Sequence, residues 1–241
     1  APPALEEFAM NAAMSSGIDS RYAWTRLVIS VLIATIGSVG MWSVVVVLPA
    51  VQAEFAVDRS VASLPYTMTM VGFAVGNVWL GHIVDRTGIF LPLAGVAVAL
   101  FVGYVGAAMA PSIWLFALLQ GIIGFGASAT FGPLIADLSH WFRKRRGVAV
   151  AAAASGNYVA GAIWPLAMQL TLADEGWRFT YAAIGIFCIV TMVPLALLMR
   201  RPAPTMIAAS DGAQKPVGQR SIDLSPRALQ WLLAIAGVGC C

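Results

Sequence analysis

The chain has 241 residues, of which 60% are hydrophobic and only 10% are charged, and its net charge at neutral pH is +3. Soluble domains carry about 25% charged residues, so this composition, with a mean hydropathy of +0.84, excludes an ordinary soluble globular protein. It predicts an all-α membrane protein whose solvent is the lipid bilayer.

Long runs without Asp, Glu, Lys or Arg predict six transmembrane helices. A hydrocarbon core about 30 Å thick needs roughly 20 apolar residues in a helix. Four of the charge-free runs suit one helix each, while the longest, residues 87–136, suits two because Ala110-Pro111-Ser112 interrupts it. The predicted segments, here called spans 1 to 6, are 27–51, 61–84, 89–110, 113–138, 147–170 and 179–199.

The spans divide the chain into four predicted regions. A seventh charge-free run begins at Ala228 and reaches Cys241, which makes it too short to cross the bilayer. Half a spanning helix leaves backbone groups without hydrogen bonds in hydrocarbon, so we expect the chain to be a fragment of a longer protein. The regions are a cytoplasmic N-terminal tail, a six-helix bundle, a flexible cytoplasmic linker rich in Pro, Gly and Ser, and the truncated start of helix 7, at 1–26, 27–199, 200–227 and 228–241.

The basic residues predict that the N-terminus is cytoplasmic. Of the 14 Lys and Arg residues, only Arg59 and Arg178 fall on the side of the membrane opposite to the tail and the linker. By the positive-inside rule the basic side faces the cytoplasm, here of a cell inner (plasma) membrane. The densest basic group follows span 4 and is expected to bind the anionic inner leaflet, with about 1 kcal/mol per charge near the surface. Its members are Arg143, Lys144, Arg145 and Arg146.

Residues 81–88 read Gly-His-Ile-Val-Asp-Arg-Thr-Gly and resemble the G-x-x-x-D-R-x-G signature of the major facilitator superfamily of membrane transporters, which places it between helices 2 and 3. The resemblance implies a cytoplasmic latch. Gly81 lets helices approach, Gly88 permits a tight turn, and Asp85 faces the positive N-terminal end of a helix in a partner bundle. The alternative is an ordinary turn that caps span 3. Apolar residues follow where the family has basic ones, so the basic arm of the latch is either Arg86 or missing, which would weaken the latch.

Residues 141–149 are similar to the entry to helix 5 in the monocarboxylate and oxalate-type branch of the same superfamily. They read Trp-Phe-Arg-Lys-Arg-Arg-Gly-Val-Ala. This branch implies a small organic acid as the solute. The coupling proton or ion is left open, because Ala117 stands where proton antiporters have an Arg before Gln120-Gly121, and span 1 lacks the Lys of proton-coupled carriers.

A weak internal echo predicts that the six spans form two inverted three-helix repeats. Spans 1 and 4 carry Pro49 and Pro133 near their distal ends. This is the architecture of one half of a two-bundle transporter. Coincidence is the open alternative, because Pro is common in membrane helices.

Few polar groups at membrane depth qualify as site residues. Asp137, at the inner end of span 4, is predicted to pair with Arg86 and lock one conformation, the alternative being a hydrated surface carboxylate. The resemblance implies that helices 1 and 4 line a central cavity and that helices 2 and 5 lie at the bundle interface. The cavity candidates, for whose hydroxyls a bond to their own helix is the alternative, are Thr35, Ser38, Trp42, Asn77, Gln120, Ser128, Ser155, Asn157 and Tyr158.

We therefore expect a secondary transporter that moves a small solute by alternating access, together with a missing C-terminal six-helix bundle. The alternatives are a non-transporting membrane receptor or assembly protein on the same scaffold, and a half-size transporter that acts as a dimer. No metal-ligand spacing, nucleophile–base set or phosphate-binding loop accompanies these motifs, so we expect no enzymatic activity, no cofactor and no metal. We expect no nucleic-acid partner.

Overall fold

A computed structural model describes residues 19–200, which form helices joined by short turns, with no strand in that range. The all-α fold class predicted from composition is confirmed. Apart from Arg200, the predicted linker and the start of helix 7 lie outside the described residues, as does most of the tail. The helices are α1 Arg21–Gly37, α2 Val39–Phe55, α3 Arg59–Ala62, α4 Leu64–Thr87, α5 Phe90–Ala108, α6 Ile113–Ser128, α7 Gly132–Ser139 and α8 Arg146–Leu198.

Five helical segments are long and apolar enough to cross a membrane, and the last of them, α8, contains both span 5 and span 6. A straight helix of its 53 residues would be about 80 Å long, more than twice the hydrocarbon thickness. Gly176 breaks it, with a φ of 80° that favours glycine. A straight helix would hold Trp164 and Phe187 about 35 Å apart, whereas their ring centroids lie 5.7 Å apart. Residues 146–175 and 177–198, the first and second arms of α8, are therefore antiparallel, and six crossing segments result.

Spans 1 and 4 each consist of two helices where one was expected. Span 1 breaks at Ser38, between α1 and α2, and span 4 breaks at residues 129–131, between α6 and α7. The two breaks touch, because a Cβ atom on Gly37 would clash with Cγ2 of Thr130. At the second break, the Thr130 hydroxyl donates to Ala127 O at 2.7 Å and so competes with the helical amide for that carbonyl. The two breaks thus lie next to each other inside the bundle.

Close backbone contacts hold the bundle together. A Cβ atom on Gly72 of α4 would clash with the carbonyl of Gly121 on α6, and one on Gly124 would clash with the carbonyl of Thr69. Small residues at helix interfaces permit this approach in lipid, where packing replaces the hydrophobic effect as the main attraction. Extensive contacts also join α5 and α1 to α8, and α5 to α6.

Successive spans begin at alternate ends of the bundle, as six crossings require. Tyr22 Oη donates to Leu198 O at 3.4 Å, and the Arg200 guanidinium lies 5.0 Å from the Phe90 ring centroid. The start of α1, the start of α5 and the end of α8 therefore share one end, here called the basic end. The other end of the bundle is here called the opposite end. It holds the end of α2, the end of α5 and the start of the second arm.

Candidate functional site

The predicted latch lies at the C-terminal end of α4. Gly88 ends this helix with a φ of 79°, and its amide donates to Val84 O at 2.9 Å. Asp85 and Arg86 are exposed, and neither forms an ion pair with any residue in the part of the chain that is described. A Cβ atom on Gly81 would meet only open space. The motif faces outward from the bundle, and its role as a latch stays a prediction.

The predicted pair between Asp137 and Arg86 is wrong. Asp137 on α7 pairs with Arg26 on α1, whose Nε donates to Oδ2 at 3.0 Å and whose Nη2 lies 2.9 Å from the same oxygen. Arg26 is 1% exposed and Asp137 is 7% exposed. The sequence analysis assigned Arg26 to the tail, but the helix begins at Arg21 and carries Arg26 into the bundle. Because α7 packs on α1, Arg26 is the cation that reaches the carboxylate.

Arg26 also contacts the end of span 6. Its Nη1 donates to Met199 O at 3.3 Å, one of the carbonyls that a helix end leaves without an internal partner. The same nitrogen lies 3.4 Å from Tyr22 Oη, and the guanidinium stacks 4.6 Å from the Trp141 ring centroid. One side chain therefore joins α1 to spans 4 and 6 at the basic end.

A second ion pair, which the sequence analysis missed, closes the opposite end. Arg178 Nη2 donates to Glu54 Oε1 at 2.7 Å, and Trp177 Nε1 donates to Glu54 Oε2. Arg178 also donates to Ala108 O at 2.6 Å and to Ala110 O at 2.9 Å. The Gly-Trp-Arg sequence before span 6 was the available signal, but its partners come from spans 1 and 3.

Three cavity candidates are buried inside the bundle. Ser38, Gln120 and Ser128 are at most 2% exposed, so they pack between helices of this bundle and do not face a cavity outside it. Gln120 Nε2 donates to Tyr181 Oη at 2.7 Å, and its Oε1 accepts from Thr69 at 3.4 Å. The prediction for these three residues is corrected because all three side chains lie inside the bundle.

The Gln120 interaction belongs to a wider buried network. Ser43 and Tyr104 share a hydrogen bond of 2.7 Å between their hydroxyls. The Tyr104 and Tyr181 rings meet edge to face, with centroids 5.1 Å apart. These two residues, with Ser43, Thr69 and Gln120, come from spans 1, 2, 3, 4 and 6. The network ties five spans together at one depth.

Thr35, Trp42 and Asn157 lie together where span 1 crosses the first arm of α8. The Thr35 hydroxyl donates to Gly156 O at 3.2 Å, and a Cβ atom on Gly161 would lie 2.8 Å from Trp42 Cε2. All three candidates are half-buried. Trp42 Nε1 and Asn157 Oδ1 have no hydrogen-bond partner among the described residues. This seam is the best candidate for a solute-facing site.

Trp164, also on the first arm, was not predicted. Its Nε1 donates to Thr35 O at 2.8 Å. The break at Ser38 interrupts the helical bonding pattern of span 1, and the indole supplies a donor in its place, as neighbouring helices do at breaks inside membranes. Nothing in the local sequence distinguishes this Trp from a packing residue.

The remaining cavity candidates give a mixed result. Ser155 donates to Ala152 O at 2.7 Å, and Asn77 donates to Phe73 O at 2.9 Å, so both bond their own helix backbones. Tyr158 is 71% exposed on the same arm as Asn157.

The basic group after α7 is exposed. Arg143, Lys144, Arg145 and Arg146 all lie on the surface, and their loop is held by a hydrogen bond from the Lys144 amide to Asp19 Oδ2 at 3.1 Å. Within residues 19–200, no group of three or more His, Cys, Asp or Glu side chains is arranged to hold a metal ion.

A cleft of about 330 Å³ opens beside the Trp164 ring. It is lined by Thr35, Ile36, Ile163, Trp164, Ala167 and Phe187. A smaller cleft of about 180 Å³ continues between the two arms of α8. The larger cleft lies between spans 1, 5 and 6, whereas the smaller one is lined by residues of the two arms alone.

Comparison with known proteins relates the chain to a transporter family. The sequence profile of the Major Facilitator Superfamily matches residues 30–241. The "MFS-type transporter pynF" of Aspergillus niger is 30% identical over 133 residues, which cover 54% of this chain and 31% of that protein. The "Fujikurins efflux protein" of Gibberella fujikuroi is 28% identical over 180 residues, 73% of this chain and 37% of the relative.

A human relative belongs to the branch that residues 141–149 indicated. "Monocarboxylate transporter 11" of Homo sapiens is 32% identical over 141 residues, which cover 56% of this chain and 28% of that protein. The chain thus spans about a third of the length of the curated relatives described here.

Proposed function

Because this chain belongs to the Major Facilitator Superfamily, we propose that it is one bundle of a secondary transporter that moves a small solute across a plasma membrane by alternating access. The solute binds near the bilayer midplane, between this bundle and a second six-helix bundle joined through the linker at 200–227. The solute crosses without chemical conversion, so no enzymatic activity is proposed.

Transport is supported above all by the two unpaired polar atoms beside the break in span 1. Trp42 Nε1 is a donor and Asn157 Oδ1 is an acceptor, and both are buried without a partner in the described part of the chain. Trp42 lies about 24 Å along the helix from Arg26, and Asn157 about 17 Å from Arg146, so both are near mid-depth. An unpaired buried group costs about 1–3 kcal/mol. A solute that accepts from one and donates to the other removes both costs.

The proposed orientation places the basic end in the cytoplasm, as the positive-inside rule requires. Residues 143–146 then lie at the anionic inner leaflet. Asp85 and Arg86 are exposed at the same end and are free to contact the second bundle. We propose that this contact favours the state that is closed to the cytoplasm.

The proposed solute class is a small organic acid, coupled to a proton or another ion. Two of the relatives are named for monocarboxylate transport and for fujikurin efflux. Spans 1 and 5 carry no charged residue at 27–53 and 147–173. A cation that binds the carboxylate is therefore proposed for the second bundle.

The test is uptake by the purified full-length protein in proteoliposomes, with a panel of small carboxylates and an imposed proton gradient. Trp42→Phe and Asn157→Leu each remove one polar partner, and each is expected to lower uptake about tenfold, the equivalent of about 1.4 kcal/mol. Trp114→Phe, at an exposed residue of α6, is the matched control and should transport normally. Normal uptake by both seam variants would contradict the site. Uptake by residues 1–241 alone would contradict the need for a second bundle.

A further inference from the structure

The cleft beside Trp164 has the size and lining of a ligand site. Its volume of about 330 Å³ lies at the lower end of the range of about 300–1,000 Å³ for ligand pockets, which suits a body of two or three fused or linked rings. Ile163 and Phe187, at its mouth, are 51% and 46% exposed. The cleft is therefore open at the surface of the bundle.

Its aromatic wall is fixed in place before any ligand arrives. Trp164 is held by its hydrogen bond to Thr35 O at 2.8 Å, and it meets the Phe187 ring edge to face at 75°. Such pairs add about 0.5–1.5 kcal/mol beyond area burial. Because this wall is already ordered, binding costs no entropy for fixing it. A rigid aromatic wall therefore favours a flat ring as the ligand.

The cleft offers no partner to a charged group. On the helices that line it, the charged residue nearest along the chain is Asp174, seven residues or about 10 Å from Ala167, and this residue is exposed. Arg178 lies nine residues from Phe187 and is already bonded to Glu54. Burying an ionised group without a partner is strongly unfavourable, so an anion or cation is rejected here.

We propose that this cleft binds the uncharged, hydrophobic ring system of the transported solute. The inference rests on the proposed transport function for the fate of the ligand, but the site itself is defined by this bundle. It assigns recognition of the ring system to spans 1, 5 and 6. Any charged group of the same solute is left to the second bundle.

The test uses two dyes that share one anilinonaphthalene body. N-phenyl-1-naphthylamine is uncharged, whereas 8-anilinonaphthalene-1-sulfonate carries a sulfonate. Binding to the purified full-length protein in detergent is followed by dye fluorescence. Ala167→Trp fills the cleft, and Leu170→Trp, at an exposed residue of the same arm, adds the same ring outside it. Ile163→Trp, at the mouth, is a second filling variant that leaves the interior packing unchanged.

The uncharged dye is expected to bind saturably to the wild type and to Leu170→Trp, and to lose that binding in both filling variants. Binding of the anionic dye that these substitutions leave unchanged agrees with the proposal, because it takes place outside the cleft. Uncharged dye that binds both filling variants as it binds the wild type overturns the site. If the anionic dye competes equally with the uncharged dye, and its binding is lost in Ala167→Trp, the restriction to uncharged rings is overturned.

Export of the uncharged dye from cells that express the full-length protein separates the two proposals. Saturable binding without export supports the cleft and contradicts transport of this ligand class. Export that Ala167→Trp and Ile163→Trp leave unchanged contradicts the cleft while the transport function stands.

Discussion

The guanidinium of Arg26 and the carboxylate of Asp137, 111 residues apart in the sequence, form a buried ion pair with 2.9 Å between Nη2 and Oδ2. The pair joins the first turns of α1 to α7, the second helix of span 4. The bond from Arg26 to Met199 O connects both to the end of span 6. Each repeat of the bundle therefore contributes to one contact at the basic end.

Removing one partner of this pair should destabilise the protein. Asp137→Asn leaves the Arg26 charge buried without a counterion, and such a change costs about 3–5 kcal/mol. Thermal unfolding of the purified full-length protein measures the effect. Asp85→Asn, at an exposed carboxylate of the same end, is the matched control and should unfold near the wild-type temperature. Equal unfolding temperatures for the two variants would show that the ion pair adds no stability.

The buried network around Tyr181 predicts a second stability effect. Tyr181→Phe keeps the ring contacts but leaves Gln120 Nε2, now 2.7 Å from the hydroxyl, without its acceptor. The expected loss is about 1–3 kcal/mol, read as a lower unfolding temperature. Tyr158→Phe removes the same hydroxyl from an exposed ring and should change little. A Tyr181→Phe protein as stable as Tyr158→Phe would mean that the Gln120 amide finds another partner.

The number of spans was predictable because lipid excludes charge, so each span appears in the sequence as a run without charged residues. The burial of Arg26 was not predictable, since it depends on Asp137 approaching from span 4. A charged residue at the border of an apolar run is most simply assigned to the aqueous phase. Only the fold shows that a counterion compensates its burial.

The site was predictable in part for a similar reason. Trp42 and Asn157 were identified because large polar groups at membrane depth require a partner. The choice of Gln120 failed because its partners, such as Tyr181, come from other spans, whereas the Ser128 hydroxyl donates to Phe125 O of its own helix. Trp164 escaped notice because its acceptor, the Thr35 carbonyl, lies at a break in another span.

The stabilising effect of Arg178 at the opposite end is expected to depend on the geometry of its guanidinium and not on its charge alone. A lysine has its three N–H donors on one nitrogen and cannot reproduce the two donor positions of Arg178, where Nη1 bonds Ala108 O and Nη2 bonds Glu54 and Ala110 O. Arg178→Lys should therefore speed amide hydrogen exchange in residues 107–112, whereas Arg59→Lys, an exposed substitution at the same end, should not. Unchanged exchange in Arg178→Lys would limit this pair to the small contribution of about 0–1 kcal/mol typical of exposed ion pairs.

The bond from Trp164 to Thr35 O predicts a local effect on span 1. Trp164→Phe keeps an aromatic ring against Phe187 but removes the donor, which leaves the Thr35 carbonyl without the indole. Amide hydrogen exchange in residues 34–41 should become faster while the rest of α1 is unchanged. Trp114→Phe, on an exposed ring of α6, serves as the control. Equal protection of 34–41 in both variants would show that the break is held by other contacts.

The contact between the two breaks predicts opposite effects for two Gly-to-Ala substitutions. Gly37→Ala pushes a methyl group into Cγ2 of Thr130, and such overpacking costs about 1–3 kcal/mol. Gly95→Ala, in the interior of α5 with no atom near the new methyl group, should be neutral or stabilising by up to about 1 kcal/mol, because alanine favours a helix. Thermal unfolding of the full-length protein distinguishes the two.

A second substitution identifies the cause of the Gly37→Ala effect. Thr130→Ser removes Cγ2 but keeps the hydroxyl that donates to Ala127 O, so adding it to Gly37→Ala should recover part of the lost stability. Failure of this rescue, with Gly95→Ala behaving as expected, would place the strain elsewhere in span 1. Recovery would establish that spans 1 and 4 contact each other directly where both helices are broken.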